Sequence, residues 1–304
     1  MRVLLYPLLV LLAACSRPEP TGPGIRDAGS LFDGVAIPTV PGDPPADGVG
    51  PARIVSVIPS MTECVYALGL GGRLVGRDRW SDAPAEAATL PSVGDQRTMS
   101  VEKIADLRPD LVVTWKSMPD LSTALVRDFG IRIVEPETET GGAFAGILDL
   151  AEACAIGDRG RKLLAVLDDD RRRIEAKFRD KPKRALLVVL DRGQTGIFVV
   201  APGSFLDALF VTSGLVNAAP AGAGPWASLS AEKLAETRPD AILDLSIGDT
   251  QGGRAEAEAF WGRFPHLPAV ASGRVVVARA PVLVRPGPRF HRAAEVLGDL
   301  IHGL

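Results

Sequence analysis

The chain has 304 residues, of which 46% are hydrophobic, and this is enough to build two packed lobes with a core each. Its 34 basic and 37 acidic residues leave a net charge of −3, so the sequence offers no basic field for nucleic acid, and we expect no nucleic-acid partner. Three cysteines do not make a disulfide framework, and no Cys/His cluster predicts a metal site.

The N-terminus has the pattern of a secretion signal. Arg2 precedes a short apolar run over residues 3–12, too short to span a bilayer as a helix. Ala13 and Ala14 then precede Cys15, which resembles the lipobox of bacterial lipoproteins. That resemblance implies cleavage before Cys15 and acylation of its thiol, with residues 1–15 as the signal peptide. An ordinary signal peptide with an incidental cysteine is the alternative.

The two remaining cysteines, Cys64 and Cys154, both lie in apolar helical patterns. We predict buried free thiols rather than a bridge.

Residues 16–52 precede the first strongly periodic segment. Residues 16–30 are rich in Pro and Gly and predict a flexible tether, while Leu31-Phe32 and residues 35–37 leave open a small edge hairpin or strand.

From residue 53 to residue 155, short apolar strands alternate with helices, which predicts parallel βαβ units in an N-terminal α/β lobe. At the start of the first helix, Ser60 and Glu63 have the spacing of a capping box.

The central segment, residues 156–182, predicts one long helix. Asp168, Asp169 and Asp170 are each followed three residues later by an arginine, which supports an exposed helix. At ~1.5 Å per residue it is roughly 35 Å long, enough to cross between two lobes, although a surface helix of one larger domain is the alternative. Residues 183–304 then form a second α/β lobe. The predicted fold class is α/β, with two Rossmann-like lobes of mainly parallel sheet joined by one long rigid α-helix.

An internal repeat supports this duplication. Residues 100–110 recur as residues 230–240, with identical residues at seven of eleven positions. Each copy predicts a helix capped by serine, Ser100 or Ser230, with a glutamate at the second helical position, Glu102 or Glu232. The glutamates suit the helix dipole, and they also form a pair of negative charges suited to a two-fold symmetric partner.

Three tryptophans are candidates for a binding site. Trp80, Trp115 and Trp226 lie in loops or at strand ends, where open sheets place their ligands, and such side chains suit a broad, partly apolar ligand. Packing at the edge of a core is the alternative, and Trp261, inside a helical pattern, is assigned to the core.

Signals for catalysis are scarce. The sequence has no GxSxG elbow, no Walker loop and no GxGxxG after a strand, and we predict that the protein is not an enzyme. His266, His291 and His302 are interpreted as surface or packing residues. In the Pro/Gly turn at residues 284–290, Arg285 or Arg289 would reach an anionic substituent of a ligand or be solvated.

A family resemblance follows from an ordered set of motifs. These are Arg53-Ile-Val-Ser-Val-Ile-Pro-Ser-Met-Thr-Glu63, Ser81-Asp-Ala-Pro84, Val93-Gly-Asp95, Ser100-Val-Glu102, Arg108-Pro-Asp-Leu-Val-Val113 and Arg285-Pro-Gly-Pro-Arg289. They resemble the helical-backbone (class III) periplasmic substrate-binding proteins of ABC importers for metal chelates. The resemblance implies a ligand cleft between two lobes, and it implies that Glu102 and Glu232 dock on a dimeric permease with its ATPase subunits.

Within that family, the Gly94-Asp-Gln-Arg97 loop, Trp115 and Pro225-Trp226 are most similar to cobalamin-binding members. The resemblance implies a corrinoid ligand held by Trp80, Gln96, Arg97, Trp115, Trp226 and Arg285. No resident cofactor or metal is expected, because a cobalt or iron ion would arrive inside the ligand. We expect a monomeric, periplasmic protein, lipid-anchored to a bacterial membrane.

Other ligands and roles stay open. The only tyrosines, Tyr6 and Tyr66, lie in the signal and in a helix, which weakens a haem interpretation. A cluster of Arg79, Arg97, Arg285 and Arg289 would suit an anionic ferric siderophore. An enzyme on a similar scaffold and a non-transport lipoprotein are less favoured.

Overall fold

The computed structural model describes residues 25–29, 31–136, 144–193, 196–222, 224–246 and 253–304. The predicted signal peptide and Cys15 lie outside the described residues. Within the described ranges, no helix combines the length and the apolar character needed to cross a membrane.

Two sheets organise the described residues. The strands are β1 (Ile25–Asp27), β2 (Ile54–Ser56), β3 (Leu74–Arg77), β4 (Leu111–Val113), β5 (Arg132–Val134), β6 (Ala185–Asp191), β7 (Ile197–Val200), β8 (Val216–Asn217), β9 (Trp226–Leu229), β10 (Ala241–Asp244) and β11 (Val275–Val277). The helices are α1 (Pro59–Ala67), α2 (Ala85–Ala88), α3 (Val101–Asp106), α4 (Pro119–Phe129), α5 (Gly146–Ala153), α6 (Gly157–Phe178), α7 (Asp207–Thr212), α8 (Ala231–Thr237), α9 (Gly253–Trp261), α10 (Pro268–Ala271) and α11 (Phe290–His302).

The N-terminal lobe contains a four-stranded sheet in the order β3-β2-β4-β5, and all its strand pairs are parallel. Strands β2 and β4 are buried on both faces, as their unbroken apolar sequences predict for a sheet covered on both sides. Cys64 and Cys154 are buried in one apolar cluster of this lobe and form no disulfide.

The C-terminal lobe contains a mixed sheet in the order β1-β11-β10-β6-β7-β9, with β8 also paired to β6. Its central pairs are parallel, whereas β7 runs antiparallel to both β6 and β9. The α/β class with two mainly parallel lobes is therefore confirmed.

Helix α6 joins the two lobes. It packs against α5 on the N-terminal side and α11 on the C-terminal side. Its exposed face carries the predicted ion pair between Asp168 and Arg171, at 2.7 Å. Arg173 forms an ion pair with Glu295 of α11 at 2.8 Å. The helix is about 33 Å long at ~1.5 Å per residue.

The segment before residue 53 differs from the prediction. Residues 25–27, expected within a flexible tether, form the edge strand β1 beside β11, with Ile25 buried. Residues 31–52, where an edge strand was considered, contain no strand. They run across to the N-terminal lobe, and we call them the strap. The buried side chains of Phe32, Val35 and Val40 explain this, because their burial holds a segment without regular secondary structure against the lobes. A polar tether has no such anchors.

Arg73 of the N-terminal lobe and Arg159 of helix α6 hold the strap in place. The Arg73 guanidinium donates to the carbonyl oxygens of Pro45, Ala46 and Pro51, at 2.8–3.2 Å, and also to that of Val49. Arg159 donates to the carbonyl oxygens of Val40 and Asp43 in the same way. The strap is thus a second connection between the lobes, besides α6.

The repeated segment has the same local structure in both lobes. The Ser100 and Ser230 hydroxyls each accept a hydrogen bond from the backbone N–H three residues on, at 3.2 Å, as predicted. After the helices, Arg108 and Arg238 both adopt positive φ, at 46° and 42°.

Candidate ligand-binding cleft

A cleft of about 540 Å³ opens between the lobes. Its lining residues are Val57, Pro59, Ser60, Asp78, Trp80, Asp95, Gln96, Arg97, Trp115, Val284, Arg285 and Pro286. The first nine belong to the N-terminal lobe and the last three to the C-terminal lobe. Five of the six predicted ligand residues, Trp80, Gln96, Arg97, Trp115 and Arg285, therefore come together.

Parallel strand topology explains this convergence. Val57 follows β2, Asp78 follows β3, and Trp115 lies two residues beyond β4. Because the carboxyl ends of parallel strands meet at one edge of a sheet, these residues share the crevice where open α/β sheets bind ligands.

The two tryptophans offer flat apolar surface to the cleft. Trp115 is half-buried, and its indole N–H is buried without a hydrogen-bond partner in the structure. Trp80 is 49% exposed, with the Arg79 guanidinium 5.3 Å from its ring centroid. A side chain of this size that remains exposed still has apolar area to bury against a ligand.

A buried polar network sets the position of the Trp80 loop. Asp78 accepts hydrogen bonds from the Trp80 backbone N–H at 3.0 Å and from the Ser81 hydroxyl. Ser81 is in turn 2.8 Å from the Thr62 hydroxyl, which donates to Ser56 at 2.9 Å. Burial, opposed by these hydrogen bonds, raises the pKa of the Asp78 carboxyl. The network fixes the loop without using the indole itself.

A tight turn presents Gln96 and Arg97. Asp95 accepts hydrogen bonds from the backbone N–H groups of Arg97 and Thr98, both at 3.0 Å, and from the Thr98 hydroxyl at 2.9 Å. The Thr98 hydroxyl, followed by the backbone donors, lowers the pKa of Asp95. Gly94 has a φ of 126°, and a Cβ there would lie 2.5 Å from the Thr98 carbonyl oxygen, so the turn requires glycine.

The Pro/Gly turn of the C-terminal lobe separates the roles of its two arginines. Arg285 lines the cleft and donates to Asp82 of the N-terminal lobe at 2.5 Å. Arg289 is buried and donates to both carboxylate oxygens of Glu63, at 2.9 and 2.6 Å. The alternative that Arg289 is solvated is therefore wrong, because its guanidinium is buried and engaged by Glu63.

The capping-box prediction for Ser60 and Glu63 is also wrong. Helix α1 begins at Pro59, and no side chain caps its N-terminus. Glu63 turns to Arg289 instead because a buried carboxylate gains more from a bidentate guanidinium than from one backbone N–H.

Trp226 does not join the other candidates in the described structure. It is the first residue of β9 rather than part of a loop, and it packs against Phe198 and Phe205, with ring centroids 6.5 and 5.7 Å away. Antiparallel pairing with β7 directs it onto this aromatic cluster. Trp261 is fully buried, and its indole donates to Asp244 at 2.8 Å, as expected of a core residue.

Sequence reasoning missed several lining residues. Asp78 is one of them, and five others carry no distinctive chemistry: Val57, Pro59, Ser60, Val284 and Pro286. Val57 and Asp78 each stand directly after a strand, and that position is the signal that would have found these two.

Glu102 and Glu232 are exposed in the first turns of α3 and α8, one on each lobe. The Ser100 hydroxyl donates to Glu102 at 2.9 Å. Backbone and Ser100 hydrogen bonds lower the pKa of the Glu102 carboxyl.

In the described part of the chain, no group of three or more His, Cys, Asp and Glu residues has an arrangement that would hold a metal ion. His291 is buried against Phe144, with ring centroids 4.9 Å apart, and His302 stacks on Phe178 at 5.3 Å. Both are packing residues, as predicted.

Comparisons with known proteins agree with this architecture. A family model described as "Periplasmic binding protein" matches residues 54–282. The vitamin B12-binding protein of Vibrio cholerae serotype O1 (strain ATCC 39541) is 29% identical over 245 residues, covering 80% of this chain and 86% of that protein. An uncharacterised ABC transporter substrate-binding lipoprotein of Bacillus subtilis (strain 168), YvrC, is 28% identical over 261 residues, covering 83% of this chain and 80% of its own.

Among solved structures, the apo form of the periplasmic heme-binding protein RhuT from Roseiflexus sp. RS-1 superposes with a TM-score of 0.73. It is 27% identical, and the match covers 84% of this chain and 99% of RhuT.

Proposed function

This chain belongs to the periplasmic binding protein family, and we propose that it captures a corrinoid in the cleft between its lobes and delivers it to an ABC importer. The observation that carries the proposal is the convergence of Trp80 and Trp115 with Gln96, Arg97 and Arg285 around one cleft. The likeness to the vitamin B12-binding protein of Vibrio cholerae supports the same ligand class.

The chemistry of the cleft suits a corrin ring. A corrin is a broad macrocycle with amide side chains on its rim, so indole faces would cover its apolar surface while Gln96 and Arg97 bind its amides. A corrinoid brings its own cobalt, already coordinated, and needs no protein ligand to the metal.

A haem or ferric siderophore receptor is the second candidate. Likeness to RhuT favours haem, and Arg97 with Arg285 favours an anionic chelate. Against haem, the cleft lining of the described chain contains no tyrosine, histidine, methionine or cysteine to serve as an axial ligand.

Delivery would use the exposed Glu102 and Glu232, one on each lobe, as docking points for the two halves of a permease dimer with its ATPase subunits. The proposed setting is periplasmic, with a monomeric protein held at the membrane by acylated Cys15. The lipoprotein YvrC, a relative of similar length, supports such an anchor. Transport binding proteins among the relatives support a non-enzymatic role.

Native mass spectrometry of the protein taken from its own cells tests the ligand class. We expect an adduct with the mass of a corrinoid. An adduct with the mass of haem or of a ferric siderophore would transfer the assignment to the second candidate.

A further inference from the structure

A second cavity, of about 830 Å³, lies beside the cleft. Four parts of the chain enclose it: strap residues 32–39, Tyr66 of α1, residues 82–86 at the start of α2, and residues of the 279–289 segment of the C-terminal lobe. We call it the strap cavity. Its wall is largely apolar, with Phe32, Val35 and Val282 among its buried residues.

Arg285 lines both the cleft and the strap cavity, so the two spaces meet at this side chain. Its guanidinium donates to Asp82 at 2.5 Å across the boundary between the lobes. Arg285 is only 14% exposed, whereas Asp82 is 45% exposed. The carboxylate is therefore free to turn into solvent, and an ion pair with an exposed member contributes little to stability.

The other arginine at this boundary is fixed. Arg289 is held by Glu63 through Nε and Nη2, and its Nη1 donates to the carbonyl oxygen of strap residue Val35 at 3.5 Å. Of these two arginines, Arg285 is thus the one that a ligand can more readily take over from its partner.

Two of the parts that enclose the strap cavity lie outside the family match. Residues 32–39 precede residue 54, where the match begins, and Arg285 and Arg289 follow residue 282, where it ends. Tyr66, residues 82–86 and residues 279–282 lie inside the match, so only part of the wall is formed outside it.

We propose that the strap cavity is a subsite for an anionic substituent of the ligand, which displaces Asp82 from Arg285 and extends past it from the cleft. This inference rests on the proposed corrinoid function. In cobalamin, the substituent is the nucleotide loop, whose phosphodiester accepts bidentate hydrogen bonds from a guanidinium as a carboxylate does. The apolar wall of the strap cavity then receives the base of that loop.

Size favours a divided site. Pockets of about 300–1,000 Å³ hold drug-sized ligands, and a corrin ring with its nucleotide is larger than those. The cleft, at about 540 Å³, lies within that range, so the strap cavity beside it gives such a ligand additional room.

Isothermal titration with cyanocobalamin and dicyanocobinamide tests the inference, because cobinamide lacks the nucleotide loop. We expect cobalamin to bind at least about tenfold more tightly. Ala36→Trp, which fills the strap cavity, should reduce cobalamin affinity to that of cobinamide and leave cobinamide unchanged. Asp82→Asn, which removes the competing carboxylate, should strengthen cobalamin binding alone.

Ala52→Trp is the matched control, since Ala52 is an exposed strap residue that lines neither cavity. Ala85→Trp fills the strap cavity from the opposite wall and replaces Ala36→Trp if that variant does not fold. Equal affinities for the two corrinoids, or equal effects of Ala36→Trp and Ala52→Trp, would overturn the subsite while leaving corrinoid binding in place. Absence of binding by both corrinoids would instead refute the proposed function itself.

Discussion

Glu63 and Arg289 form a buried ion pair that joins the two lobes. The guanidinium lies on the last residue before α11, and the carboxylate lies on α1, with two hydrogen bonds of 2.9 and 2.6 Å between them. The Glu63 side chain is 2% exposed and the Arg289 side chain is 9% exposed. A Cβ on Gly287 would lie 3.1 Å from the Glu63 carboxylate, so the glycine of the turn lets the lobes approach this closely. Together with α6 and the strap, the pair holds the lobes at one spacing.

Breaking this pair on one side should be costly. Arg289→Met leaves Glu63 buried without its partner and should lower the free energy of unfolding by about 3–5 kcal/mol, measured by urea denaturation. Burial already raises the pKa of Glu63, with Arg289 opposing that rise. Without Arg289 the native state binds a proton more tightly, so the penalty should shrink as the pH falls from 8 toward 5.

The double variant Glu63→Gln with Arg289→Met is the control, because it removes the buried charge as well. It should recover part of the lost stability and show no comparable pH dependence. A single variant as stable as the wild type would contradict the structural role of the pair.

His291 should make the fold sensitive to acid. Burial, followed by the charge of Arg171, lowers its pKa from 6.5 to about 4, although Glu175, Asp170 and Asp168 oppose this. The unfolded chain therefore binds the proton more readily, and stability that is present above pH 6.5 is lost as the pH falls toward 4, by up to about 3 kcal/mol.

His291→Phe keeps the ring contact with Phe144 and removes the titrating group, so thermal unfolding between pH 7 and 4 should show a shallower loss of stability. His266→Gln, at an exposed position, is the control and should keep the wild-type slope. An unchanged slope in His291→Phe would show that other groups cause the acid sensitivity.

The strap and β1 should contribute to stability as packed structure. Ile25→Asp places a carboxylate in the buried apolar cluster of the C-terminal sheet and should lower the melting temperature by several degrees. Arg26→Asp, at the exposed neighbouring position of the same strand, is the control. Equal melting temperatures for both variants would mean that β1 does not pair with β11 in solution.

The proposed docking residues can be separated from ligand binding. Glu102→Lys with Glu232→Lys should leave corrinoid affinity unchanged, because neither residue lines the cleft. It should abolish uptake by cells, because both proposed docking charges are reversed. Asp106→Lys with Glu236→Lys is the matched control, since these exposed acids occupy the equivalent positions one turn later on α3 and α8. Uptake at the wild-type rate in the first double variant would reject the docking role.

Local patterns in the sequence predicted what depends on local structure. The serine caps, the alternation of strands and helices, the long helix and the repeat all have short-range causes. Trp115 was found because it ends a strand. Pairings across distant segments were missed: Glu63 with Arg289 spans 226 residues, and β1 pairs with a strand at residue 275. Trp226 was expected in a loop and instead begins β9, because the antiparallel β7–β9 pair has no signal in the repeat.

Titration of cyanocobalamin into the wild type, Trp115→Ala and Trp226→Ala shows whether a corrinoid is held against the indoles of the interlobe cleft. We predict saturable binding to the wild type, a loss of affinity of more than about tenfold in Trp115→Ala, and an unchanged affinity in Trp226→Ala, whose ring packs outside the cleft. No binding at any soluble concentration of cyanocobalamin, or equal losses in the two variants, would contradict the account.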